Sequence, residues 1–207
     1  MTEFWGVREC EKVIADLAHN GRKMLTDKVL GGLDGVVSNA GIAPQAPIGE
    51  CPPALLHESF AVNLFAHQWI AAHALAIFRA QGIGGYLLFN ASKAAFNPGP
   101  EFGPYAIPKA ALVALTKQYA LEGAAFGVRA NAVNADRIRT QLLSLDAVEQ
   151  RARARGLELD AYFRSNLLAR EVTADDVAAD FVHLALAPST TGCVLTVDGG
   201  NIAAAPR

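Results

Sequence analysis

Leu33-Asp34-Gly35-Val36-Val37-Ser38-Asn39-Ala40-Gly41 is the stretch whose reading sets the architecture. An apolar run closes there in a small polar turn, so residues 33–38 read as a buried strand. The pattern recurs. Tyr86-Leu87-Leu88-Phe89-Asn90 follows the turn Gln81-Gly82-Ile83-Gly84-Gly85, residues 128–134 form the next such run, and residues 193–197 the last. Helical spacing fills the gaps. Residues 8–30 read as a helix with Val13, Leu17 and Met24 inside. Residues 55–79 repeat apolar positions at Leu56, Phe60, Leu64, Ile70, Ala74 and Phe78, and residues 110–125 form an Ala-rich helix. Thr173-Ala174-Asp175-Asp176 is a capping-box-like start for a helix to about residue 187. Residues 97–104 read as a Pro/Gly loop, and residues 136–166 as an irregular helical cover. Strand and helix in alternation specify an α/β fold, a parallel sheet with helices on both faces and right-handed crossovers.

Composition agrees. Of 207 residues, 52% are apolar and 18% charged, which fits one domain over 1–207 whose strands are buried on both sides. The formal net charge of −2 argues against a nucleic-acid partner. Arg151-Ala152-Arg153-Ala154-Arg155 reads as a solvated helix face, with an anionic-ligand role as the alternative. Cys10, Cys51 and Cys193 are scattered, so neither a disulfide framework nor a zinc site is expected. No signal peptide is apparent. His67, Gln68 and His73 interrupt the apolar helix around Trp69, so no membrane span is expected and the cytoplasm is the expected compartment.

The chemistry centres on Tyr105-Ala106-Ile107-Pro108-Lys109. A Tyr four residues before a Lys shares its helical face, and a nearby ammonium favours the phenolate. Such a phenol can exchange a proton with an alcohol or carbonyl oxygen. Ser92 lies thirteen residues before Tyr105. In a parallel sheet, ligands bind beyond the carboxyl ends of strands. Ser38-Asn39, Asn90 to Ser92 and Asn134 to Thr140 all fall just past strand ends. Pro108 lacks a backbone donor and is expected in the first turn of its helix.

Taken together, Ser38-Asn39-Ala40-Gly41, Asn63 within Phe60-Ala61-Val62-Asn63-Leu64, Asn90-Ala91-Ser92, Tyr105 with Lys109, Arg129-Ala130-Asn131-Ala132-Val133-Asn134 and Val197-Asp198-Gly199-Gly200 resemble the short-chain dehydrogenase/reductase family. The resemblance runs from about Leu33 to Asn201. Phe89-Asn90-Ala91-Ser92-Lys93 with Asn97-Pro98-Gly99-Pro100 is similar to the dehydrogenase half of bifunctional aldolase/short-chain dehydrogenases. The resemblance implies a Rossmann-like sheet and NAD(P)-linked alcohol oxidation or carbonyl reduction. It implies Tyr105 as proton donor and acceptor, Lys109 lowering its pKa and binding the nicotinamide ribose, Ser92 holding the substrate oxygen, and Asn63 holding a relay water. Asn39, Ala40 and Gly41 would line the ribose side, and Thr140 would bond the carboxamide. A small alcohol or carbonyl substrate and a homo-oligomer, dimer or tetramer, are implied as partners.

The sequence also departs from that pattern. Ala135-Asp136 replaces the family's Pro-Gly, adding a negative charge beside the nicotinamide position. No strand, Gly-rich turn and helix precede residue 33 to hold a pyrophosphate, since Gly31-Gly32 leads into a strand. The expectation is a fold lacking its first βαβαβ portion, about 50 to 60 residues at about 30 per βαβ unit. Weak or absent dinucleotide binding follows. Two alternatives remain at this point: a catalytically silent homologue serving as an oligomerisation or binding module, and a fragment of a bifunctional aldolase-dehydrogenase.

Overall fold

The computed structural model describes residues 32–140 and 142–200. The helix expected over 8–30 and Asn201 lie outside them. Strands β1 (Gly35–Ser38), β2 (Gly85–Asn90), β3 (Val128–Ala135) and β4 (Val194–Val197) pair side by side in chain order, all parallel. Each strand lies where its apolar run placed it, within two residues at either end. All four carboxyl ends therefore meet at one rim.

Alternation along β2 explains the layers, because successive side chains in a strand point to opposite faces. Leu87 and Phe89 join Ala71, Ala74, Phe78, Leu112 and Ala120 on one face. Leu88 joins Val133, Val177 and Leu184 on the other. The first face is covered by α2 (Ala66–Gln81) and α3 (Gly103–Gly123), the second by α6 (Ala174–Leu186). Thr173 and Asp176 close a full capping box at the start of α6. At its other end the Arg129 guanidinium donates to the carbonyls of Leu184, Ala185 and Ala187 at 2.7–2.9 Å, which satisfies carbonyls that the helix end leaves open.

α1 (Pro53–Phe60) runs through a π turn at Ala61–Phe65 into α2. This corrects one expectation: the 29-residue stretch Pro53–Gln81 is long and apolar enough to cross a membrane. One side of it packs into the core of the fold. Ala66, Ala71, Ala74 and Phe78 are sealed on the sheet side, and Ser59, Asn63 and His67 are buried polar groups with partners inside the fold.

α3 begins seven residues earlier than the periodicity predicts, because Gly103-Pro104 opens the helix where a loop was expected. Pro108 consequently lies in the second turn, not the first. Between β3 and α6 the expected cover contains α4 (Leu145–Arg153) and α5 (Leu159–Phe163), which pack through Ala152, Tyr162 and Phe163. At the opposite end of the sheet Gly84 has φ +77°, and a Cβ there would sit 2.5 Å from the Gly127 carbonyl oxygen. Only glycine allows that close approach.

Candidate active site

Pro108 organises the site through what it lacks. A helix residue donates to the carbonyl four positions earlier, so Pro108 leaves the Pro104 carbonyl without its helical donor. The Ser59 hydroxyl supplies one, at 2.7 Å. Ser59 in turn accepts from Asn63 Nδ2 at 2.9 Å, and the same Asn63 amide donates to the Ile42 carbonyl at 2.9 Å. Asn63 Oδ1 accepts the Ile42 amide at 3.1 Å. One buried network thus ties the turn after β1, the π turn and the mouth of α3, where Tyr105 stands. The Asn63 side chain is wholly spent on these bonds.

At the rim, Lys109 Nζ donates to the Asn90 carbonyl at 2.6 Å, and Asn90 Nδ2 donates to Asn39 Oδ1. Lys109 Nζ lies 5.9 Å from the Tyr105 ring centre. Ser92 acts on the Tyr105 phenol, lowering its pKa, and its hydroxyl oxygen accepts the Ala94 amide at 3.2 Å. Ser92, Tyr105, Lys109, Asn90, Asn39 and Asn63 are therefore brought together from five segments. Thr140 is not joined to them among the described residues; it is exposed and its hydroxyl accepts the Leu142 amide.

Burial rules the titrations. Tyr105 is held above the usual phenol range, first by desolvation, against which Ser92 works; Asp136 adds to the rise. This corrects the expectation that Lys109 sets the phenol low. Lys109 is itself lowered to about 7 by desolvation. His67, whose Nδ1 shares a 2.6 Å hydrogen bond with Ser38, is driven down to about 3, first by burial and then by Lys109.

The family profile described as enoyl-(acyl carrier protein) reductase matches residues 19–201. The chain is 36% identical over 180 residues to 4-formylbenzenesulfonate dehydrogenase of Comamonas testosteroni, covering 83% of this chain and 68% of that one. It belongs to the short-chain dehydrogenase/reductase family. An uncharacterised oxidoreductase of Bacillus subtilis, YuxG, is 32% identical over 187 residues; these cover 86% of this chain and 27% of that protein, so the chain spans about a quarter of its length. The crystal structure of acetoin dehydrogenase from Enterobacter cloacae superposes with a TM-score of 0.73 at 28% identity, covering 87% of this chain and 68% of that one.

The short-chain dehydrogenase/reductase family normally uses NAD(P), and two features of this chain's rim leave room and an open acceptor there. A Cβ at Gly41 would lie 3.4 Å from Asn63 Oδ1 and 3.8 Å from Lys109 Nζ, so the glycine keeps that approach clear. Asn134 Oδ1 is a buried acceptor at the same rim with no partner. Among the described residues no three His, Cys, Asp or Glu side chains gather as metal ligands. Sequence reasoning passed over Ser59, Lys93 and the side-chain role of Asn90, and read Arg151 only within its alternating Arg stretch. Asn90 carried a signal in its place at the end of β2.

Proposed function

We propose that this chain catalyses NAD(P)-linked interconversion of a small alcohol and its carbonyl compound, with Ser92, Tyr105, Lys109 and Asn63 as its working set. The observation that carries the reading is a buried Tyr105 phenol whose pKa Ser92 lowers, with Lys109 Nζ 5.9 Å from the ring centre and bonded to the Asn90 carbonyl. Bound NAD(P) supplies the hydride acceptor in oxidation and the donor in reduction. In reduction the phenol gives its proton to the carbonyl oxygen as the carbon gains hydride, so carbonyl, hydride and proton make the alcohol. In oxidation the phenolate takes the alcohol proton. Ser92 orients the reacting oxygen and steadies charge growing on it. Lys109, titrating near neutrality, can resupply the proton to Tyr105. Lys109, Asn39, Ala40 and Gly41 would hold the ribose side, and Thr140 the carboxamide. Asn63 acts by positioning α3 through Ser59, and holds a relay water through its backbone.

The relative from Comamonas testosteroni is named for an aldehyde substrate, and the same carbonyl–alcohol chemistry is proposed here. Nicotinamide absorbance with the chain and a series of aldehydes tests the reading. Tyr105→Phe is expected to lower the rate by about 10² to 10⁴, the usual worth of general acid–base catalysis, while the far-ultraviolet circular dichroism stays unchanged. Full activity in Tyr105→Phe would leave a binding module. A second reading, that this is the dehydrogenase portion of a longer bifunctional protein, is favoured by the 27% coverage of YuxG. Sequencing the flanking DNA tests it.

A further inference from the structure

A cationic cluster faces the proposed site from the cover. Arg151 leaves α4 and lies 3.9 Å above the Phe102 ring. Phe102 stands edge-on to Tyr105, with ring centres 6.0 Å apart. The Arg151 Nη2 is shut off from solvent with no hydrogen-bond partner. Lys93 follows Ser92 directly and is partly buried, and the charges of Arg137, Arg151 and Arg155 all act on it. Arg137 and Arg155 flank the Tyr162 ring at 4.9 and 5.5 Å. Against these four cations the acidic group acting on Lys93 is Asp136, which is 3.4 Å from Arg137. Arg155 is exposed, so three partly buried positive charges face one carboxylate, an excess of two.

Gathering like charges under a cover costs free energy unless something negative completes the set. An inward-facing guanidinium with an unused N–H has the geometry for a carboxylate or sulfonate, which takes its planar edge. Stacking on Phe102 fixes that plane. Arg153, on the same alternating stretch, behaves differently: it is exposed and pairs with Glu149 at 2.9 Å. Arg151 is the member of that stretch turned inward, and the anionic-ligand alternative for the stretch applies to it.

We infer that the substrate carries an acidic group, held by Arg151 with Lys93, while its reacting oxygen sits at Ser92 and Tyr105. This deepens the dehydrogenase reading and rests on it, so the test separates the two. Binding of 4-carboxybenzyl alcohol and of benzyl alcohol to the chain is measured by ligand-observed NMR at neutral pH. The carboxylated alcohol is expected to bind about tenfold tighter or more, the usual worth of a charge-assisted hydrogen bond. Arg151→Gln and Lys93→Gln should each reduce the preference, and Arg151→Lys should retain part of it. Tyr105→Phe should leave it in place. If the preference holds but no Tyr105-dependent turnover is found, the dehydrogenase reading fails and the anion site stands. Equal binding of both alcohols, binding of neither, or a preference that survives both Gln substitutions overturns the inference. So does an Arg151→Gln change that alters NADPH relative to NADH use and not the alcohols, since the anion would then be a cofactor phosphate.

Discussion

Burial holds the Tyr105 phenol above its ordinary range, and Ser92 is the group that opposes that rise. Ser92→Ala removes that opposition, so the Tyr105 pKa should move further up. The limb of the alcohol-oxidation pH profile that reports phenolate should shift to higher pH, with kcat falling less than in Tyr105→Phe. An unmoved limb would remove Ser92 from the proton chemistry. Lys109 offers a separate readout in stability. Its folded pKa of about 7 lies below the ordinary 10.5. Below about 7 it is charged in both states, and the folded state bears the full cost of burying the ammonium. Between about 7 and 10.5 the unfolded chain still holds the proton and the folded chain does not. Unfolding then takes up a proton, so stability rises with pH by about 1.4 kcal/mol per unit at most. Lys109→Met should flatten that rise in urea midpoints measured from neutral to alkaline pH. A parallel wild-type and variant slope would show that burial does not set this group.

At the scale of elements, the strands were legible because four apolar runs each end in a turn, and β2 shows both of its faces in three residues. α6 was legible from a local capping box. The start of α3 was not. Gly103-Pro104 looks like a loop, although Pro in a first helical turn is also a start signal. Pro108 was misplaced for a non-local reason: the carbonyl it leaves open is satisfied by Ser59, 45 residues away in sequence. Local rules cannot see such a partner. Arg151 was read with its exposed neighbours for the same reason, since Phe102 belongs to another element. Ser59 yields a direct test. Ser59→Ala strips a partner from both Pro104 O and Asn63 Nδ2 in a fully buried position, and should cost about 1–3 kcal/mol in urea unfolding. Activity should fall with it, because Tyr105 adjoins Pro104. Pro108→Ala restores an N–H for that carbonyl, so Ser59→Ala should cost less in the Pro108→Ala background. Strict additivity would break the proposed link between the two residues.

At the scale of the whole molecule, the described residues leave apolar surface that they do not themselves cover. Phe60, Phe65 and Trp69 form a ladder with ring centres 6.1 and 6.3 Å apart along α1 and α2. Phe65 and Trp69 are each 44% exposed, and Leu121 on α3 is 74% exposed. The two helices meet through the Tyr119 hydroxyl bonded to Gln68 Oε1 at 2.9 Å, which puts Trp69 beside that junction and Leu121 two residues beyond it. The Phe60, Phe65 and Trp69 rings gain about 25 cal/mol per Å² of apolar surface when covered, and exposed apolar patches mark association surfaces. A second surface competes: β1 is an outer strand of the four, with Val37 half exposed, and open strand edges recruit partners by pairing. The helical surface has the larger side chains, and we expect it to make a dimer or tetramer. Light scattering at tens of micromolar should show that assembly in the wild-type chain. Trp69→Glu combined with Leu121→Glu should convert it to monomer, because a buried unpaired carboxylate is not tolerated in an apolar contact. A wild-type monomer would refute association. An assembly that persists in the double variant and dissociates with Val37→Lys would assign the contact to the strand edge.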